Sequence, residues 1–124
     1  MLVVRLTPHG VPDPSFSGDG VVLTDFGPAG DEAVGIAVHS GRIVVAGLTR
    51  LSSSSGTDTR IAVARYRPGG ALDDAFGGGD GKVALDASSD YDVADGVAVQ
   101  ADGTIVLGGG VSVPARFYAA RLLG

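Results

Sequence analysis

The chain has 124 residues, a size suited to one ordinary domain, and its 44% hydrophobic and 19% charged content is that of a folded globular protein. A net charge of −5 works against nucleic-acid binding, because no basic stripe is present to release counterions locally. The absence of cysteine excludes a disulfide framework, a thiolate zinc site and a cysteine nucleophile.

The first predicted strand is Leu2-Val3-Val4-Arg5-Leu6, stopped at Pro8. A loop with Asp13 and Phe16 follows, and Gly18-Asp19-Gly20 turns the chain into a second strand, Val21-Val22-Leu23. After an acidic, glycine-bearing loop with Asp31 and Glu32 comes a third strand, Gly35 to His39. The tight turn Ser40-Gly41 joins it to the fourth, Ile43-Val44-Val45-Ala46-Gly47. That fourth strand is apolar without alternation and is predicted to be covered on both faces. The run Ser52-Ser53-Ser54-Ser55 reads as a flexible loop.

The chain then repeats itself. Ile61 to Tyr66 is a strand stopped at Pro68, followed by a loop with Asp73 and Phe76 and the turn Gly79-Asp80-Gly81. Next come the strand Lys82 to Leu85 and a second acidic loop with Asp90, Asp92 and Asp95. The strand Gly96 to Gln100 leads through Ala101-Asp102-Gly103 to the apolar strand Ile105 to Gly109, and a last strand covers Phe117 to Leu122. The division is a first unit at 1–60, a second at 61–116 and an extra strand at 117–124. The acidic residues are almost all Asp and the basic ones almost all Arg, and with Glu, Lys and Gln nearly absent the balance is against helices. The predicted class is therefore all-β, built of four-stranded antiparallel sheets that repeat along the chain, as in the blades of a β-propeller.

The residues also resemble a known family. Ala64-Arg65-Tyr66, Pro68-Gly69-Gly70, Asp73-Asp74-Ala75-Phe76-Gly77, Asp80-Gly81-Lys82-Val83, Val97-Ala98-Val99 and Asp102 to Gly109 are similar to the bacterial delta-60 repeat, a β-propeller repeat. The first unit departs at Pro12, where the second has Leu72, and at Gly41, which lacks the preceding Asp. The resemblance implies propeller blades and carries no assigned activity. A wider similarity to NHL-type propellers implies that the Val-Ala-Val strand lies nearest the axis and the strand after Asp-Gly lies outermost. Nine strands then make two blades and one strand over, fewer than the four to eight blades of a closed propeller. Two expectations follow: further repeats of a longer chain, or self-association into a ring.

Each candidate site residue has a structural role as its stronger reading. Arg5, Arg65 and Arg121 recur at one place in the strand, which points to a structural ion pair in every unit, with Asp25 or Asp86 as partner. Phe16 and Phe76 are predicted to anchor the loop in the core, and Asp13 and Asp73 to bond the backbone of the turn. Asp31, Glu32, Asp90, Asp92 and Asp95 lack the spacing of a calcium loop and read as solvated. His9 and His39 are replaced by Gly69 and Gln100 in the second unit, so neither supports a catalytic triad. Gly77 to Gly79 and Gly108 to Gly110 open no helix that could cradle phosphate. Catalytic, cofactor-binding and metal residues are accordingly assigned to none, and no cofactor is implied.

The function expected is a non-enzymatic binding or interaction scaffold, with protein or glycan as ligand and neither nucleic acid nor membrane span. The competing readings are a lyase or hydrolase working at the propeller axis, and a structural array at the cell surface. The compartment is left open. An export signal beyond these residues would place the chain outside the cell or at its surface.

Overall fold

The computed structural model describes residues 1–51, 58–112 and 114–123. These form β1 (Leu2–Val4), β2 (Val21–Leu23), β3 (Asp31–His39), β4 (Arg42–Arg50), β5 (Thr59–Tyr66), β6 (Lys82–Leu85), β7 (Asp92–Val99), β8 (Ile105–Ser112) and β9 (Ala115–Leu122). All pairings are antiparallel, and the described residues contain no helix, hence none long and apolar enough to cross a membrane. The serine run at 52–55 lies outside the described residues.

The strands sort into sheets of two (β1-β2), four (β3-β4-β5-β6) and three (β7-β8-β9). Four-strandedness therefore holds for the middle sheet alone. That sheet straddles the boundary between the two sequence units, because the third and fourth strands of the first unit, β3 and β4, are joined by the first and second strands of the next, β5 and β6.

The middle sheet is packed on both sides, which is why β4 and β5 lack alternation. Ile43 and Val45 of β4, with Ala62, Ala64 and Tyr66 of β5, meet Met1, Val3 and Phe16 on the β1-β2 side. The interleaved Val44, Ala46, Ile61 and Val63 meet Ala94, Ile105 and Leu107 on the β7-β8-β9 side. Period two thus serves two cores at once, and each fully buried Val or Ile contributes about 1.5–3 kcal/mol. Two-sided burial does not extend to β8. Ile105 and Leu107 are buried, but Val106 and Gly108 on the other face are not, since no described strand packs there.

Two further expectations are corrected. Most of the acidic residues are in strand, not loop, because Asp31 opens β3 and Asp92 opens β7, while Asp90 stays in the bend before β7. The first strand stops at Val4, and Leu6 makes only an isolated bridge with Pro12. The Ser40-Gly41 turn takes positive φ at both residues, 49° and 77°, as a two-residue hairpin on a right-twisted ribbon requires.

A bulge interrupts both first hairpins at matching places, between Ala33 and Gly35 and between Ala94 and Gly96. It presses a carbonyl onto the neighbouring strand. A Cβ at Gly47 would lie 2.0 Å from the Glu32 carbonyl oxygen, and one at Gly109 would lie 2.0 Å from that of Val93. Gly47→Ala is expected to cost at least about 3 kcal/mol, the upper end for overpacking, because the obstacle is backbone. Gly96→Ala, with nothing within 4 Å of the new methyl, should cost less than about 1 kcal/mol. Urea midpoints of the two variants measure the contrast.

Candidate functional site

The most organised polar feature is the loop joining the third strand of a sheet to the fourth, and it is built twice to one plan. After β1, Thr7 N–H donates to Val11 O (2.8 Å), Asp13 N–H to Arg5 O (2.9 Å), Phe16 N–H to Asp13 O (2.9 Å) and Gly20 N–H to Phe16 O (2.7 Å). After β5, Arg67 donates to Ala71 (2.8 Å), Asp73 to Arg65 (2.8 Å), Phe76 to Asp73 (3.0 Å) and Gly81 to Phe76 (3.0 Å). The second loop is one residue longer, between Phe76 and Gly81, and the bonds on either side survive.

The loop folds back on the strand that feeds it, and this reversal decides the ion pairs. Arg5 Nε lies 2.9 Å from Asp13 Oδ2, and Arg65 Nε lies 2.9 Å from Asp73 Oδ2. Asp25 and Asp86 are not the partners: Asp86 is 3.4 Å from Arg60, and Asp25 offers its carbonyl to Lys82 Nζ at 3.1 Å. Arg121 sits 3.6 Å from Asp102, both exposed. Each of the other two guanidiniums also lies over a ring, Arg5 over Phe16 and Arg65 over Phe76, at 4.8 Å in both cases. Phe16 and Phe76 are buried as expected, but the cation–π stack was not foreseen from the sequence. The available signal was the equal spacing of Arg and Phe in the two units.

Asp13 and Asp73 do bond the turn. Asp13 Oδ1 accepts from Ser15 N–H (2.9 Å) and Ser15 Oγ (2.7 Å), and Asp73 Oδ1 accepts from Ala75 N–H (3.3 Å). Asp73 is also the hub of a larger cluster. Arg42 Nε donates to its Oδ2 at 2.8 Å, and Arg67 Nε is 3.6 Å from its Oδ1. Burial alone would raise the Asp73 carboxyl. The Arg42 and Ala75 hydrogen bonds and the charges of Arg65 and Arg42 outweigh it and hold the group below the usual range. Asp13 is lowered by the Ser15 hydroxyl and N–H, and Asp102 by the N–H and hydroxyl of Thr104.

A cleft of about 400 Å³ opens beside this cluster, between the middle sheet and β7-β8-β9. His39, Arg42, Arg65, Ala75, Ala101 and Asp102 are among its walls. His9 is apart from it, exposed on the first loop.

The acidic residues do not converge. Asp92 is fully buried and accepts from Ala87 N–H (2.7 Å), Ser88 N–H (3.0 Å) and Ser88 Oγ (2.6 Å), closing the turn between β6 and β7. Asp31 does the same for Phe26 N–H at 2.9 Å. Glu32 pairs with Arg50, Asp95 is exposed, and Asp90 contributes its carbonyl to Thr59 N–H. Among the described residues no three His, Asp or Glu groups gather as metal ligands. Burial, then the charges of Asp95 and Asp92, push the Tyr118 hydroxyl up to about 12, and that hydroxyl donates to Val93 O at 3.0 Å.

Removing Asp73 strands the buried Arg65, so Asp73→Ala is expected to cost about 3–5 kcal/mol in chemical denaturation. Asp13→Ala should cost less, because the Arg5 and Asp13 side chains are 31% and 24% exposed. Asp13, Asp73 and Asp102 are all lowered on folding, so their contribution is present above the unfolded carboxyl pKa of about 4 and is lost as pH falls through the folded values. Urea midpoints followed from pH 7 to pH 3 should drop at the acid end, and Asp73→Asn should flatten that drop.

Residues 40–76, which carry β4, β5 and the Arg65-Asp73-Phe76 arrangement, match the model of a family described as "Domain of unknown function (DUF5122) beta-propeller". No curated protein and no solved structure matches the chain. The family match supports a β-propeller repeat for this all-β chain.

Proposed function

We propose that the chain is a non-enzymatic propeller repeat module that acts as an interaction scaffold, holding loops and sheet faces for a protein or glycan ligand. In this reading the repeats are 1–60 and 61–116 with an extra strand at 117–124, the first strand of each sheet is innermost, and the fourth is outermost.

The carrying observation is the contrast between the middle sheet and its flanks. Between two neighbours, β4 and β5 are almost wholly buried. Where no described strand packs, apolar side chains stand in solvent: Leu23 is 69% exposed, Ile36 62%, Val38 67% and Phe117 97%. Such faces are a cost to a monomer and an asset to a module that docks. The arginine clusters support the same reading, since they tie loops to strands. His39 lines the cleft, but Gln100 takes its place in the second unit, which weighs against an enzyme built on it.

If the open faces are working surfaces, Ile36→Glu with Val38→Glu, and separately Phe117→Glu, should leave the folded chain's stability within about 0.5 kcal/mol while abolishing hydrophobic-dye binding and association in sedimentation. A native chain that binds no dye and associates with nothing at tens of micromolar would refute the scaffold reading.

A further inference from the structure

The two arginines of the repeated loop differ in one respect. Arg5 Nη1 donates to Pro68 O at 2.6 Å, in the corresponding loop of the next sheet, and Nη2 donates to Ser15 Oγ at 2.6 Å. The same contact brings Ser17 N–H to Gly69 O at 2.8 Å. It also sets Pro68 beside Gly41 and Phe16 beside Gly70, where added Cβ atoms would lie 3.2 Å from Pro68 Cγ and from Phe16 Cδ2. The first loop is thus latched to the loop of the following sheet.

Arg65 is the equivalent residue, only 7% exposed, and its terminal nitrogens meet no acceptor among the described residues. Ala75 stands where Ser15 supplies a hydroxyl, and the cleft stands where Pro68 supplies a carbonyl. Around Gly103, the counterpart of Gly41, nothing lies within 4 Å. The loop of the first unit is free in the complementary sense, since nothing lies within 4 Å of a Cβ at Gly10, the counterpart of Gly70. One half of the latch is open at each end of the molecule.

Resting on the scaffold reading, we propose that the cleft is the seat of the Pro8–Gly10 loop of a second copy of this chain, with Arg65 donating to its Pro8 carbonyl. The strands around it agree. The loop is carried by β1-β2, which have no first and second strand beside them among the described residues, and β7-β8 are a first and second strand. Together they complete a four-stranded sheet. The second copy's β1 then takes the place of β9, with its Arg5 opposite Val106, as Arg65 is opposite Val44 and Arg121 opposite Val106 now. β9 is suited to exchange because it buries none of its residues, whereas its counterpart β5 buries nearly all. A neutral carbonyl suits the cleft better than an anion, because Asp73 and Asp102 already balance much of the positive charge there. The contact is head-to-tail, and it closes into a ring where the rotation from copy to copy completes a circle. At two blades per chain, a ring of about four to eight blades holds two to four copies.

Light scattering coupled to size exclusion on the full chain is expected to give a discrete mass of two, three or four times 12.3 kDa. Arg65→Ala should weaken this association at least tenfold. Because that substitution also disturbs the fold, Ala101→Trp serves as the second variant: it fills the cleft from an exposed turn and should lower the mass to the monomer without moving the thermal midpoint. A monomeric native chain, or an oligomer whose mass Ala101→Trp leaves unchanged, overturns the proposal. An oligomer dispersed by Ile36→Glu with Val38→Glu but not by Ala101→Trp leaves the scaffold reading standing and sinks this one.

Discussion

The structure depends on the cost of burying a guanidinium. Arg65 is taken almost out of solvent at the end of β5, and nothing in a two-core sheet of Val, Ile and Ala can compensate it. The loop that follows is therefore obliged to return, bringing Asp73 to its edge and Phe76 to its face. The same return fixes where β6 starts and hence the register of the fourth strand. One arginine near the end of a strand thereby organises the fifteen residues of loop, 67–81, that lie between β5 and β6.

Around that loop, the cohesion is of an ordinary kind. Small residues let sheets approach, and branched residues fill the space between them. Gly35 shows the balance, since a Cβ there would come within 3.1 Å of Val97 on the adjoining sheet. Some polar groups within the cores are paired there, as with Tyr66 donating to Thr24 Oγ1 at 2.8 Å. The molecule is held by sheet-on-sheet contact, and its flanks are unfinished for the same reason that its centre is well made.

Much of this was legible in the sequence. The strand order, the antiparallel pairing, the turns and the burial of Phe16 and Phe76 follow from periodicity and punctuation, and these signals are local. The partner of Arg65 was not legible, because charge alone permits Asp73, Asp86 or any other nearby carboxylate, and the backbone bonds that select Asp73 leave no trace in residue type. Asp31 and Asp92 look like loop residues because Asp belongs in turns. They sit at strand starts because their carboxylates close the preceding turn from within the sheet. Cover on both faces of β8 was misjudged because burial depends on neighbours that a single strand cannot declare.

The extra residue between Phe76 and Gly81 has a wider meaning. It lies past the last group that the buried arginine needs and before the bond that returns the chain to the sheet, so length can change there without cost to either. Such a position is a natural insertion point: successive units can diverge in what they display at the rim while sharing one internal grammar, and a foreign peptide could be grafted there with the frame intact.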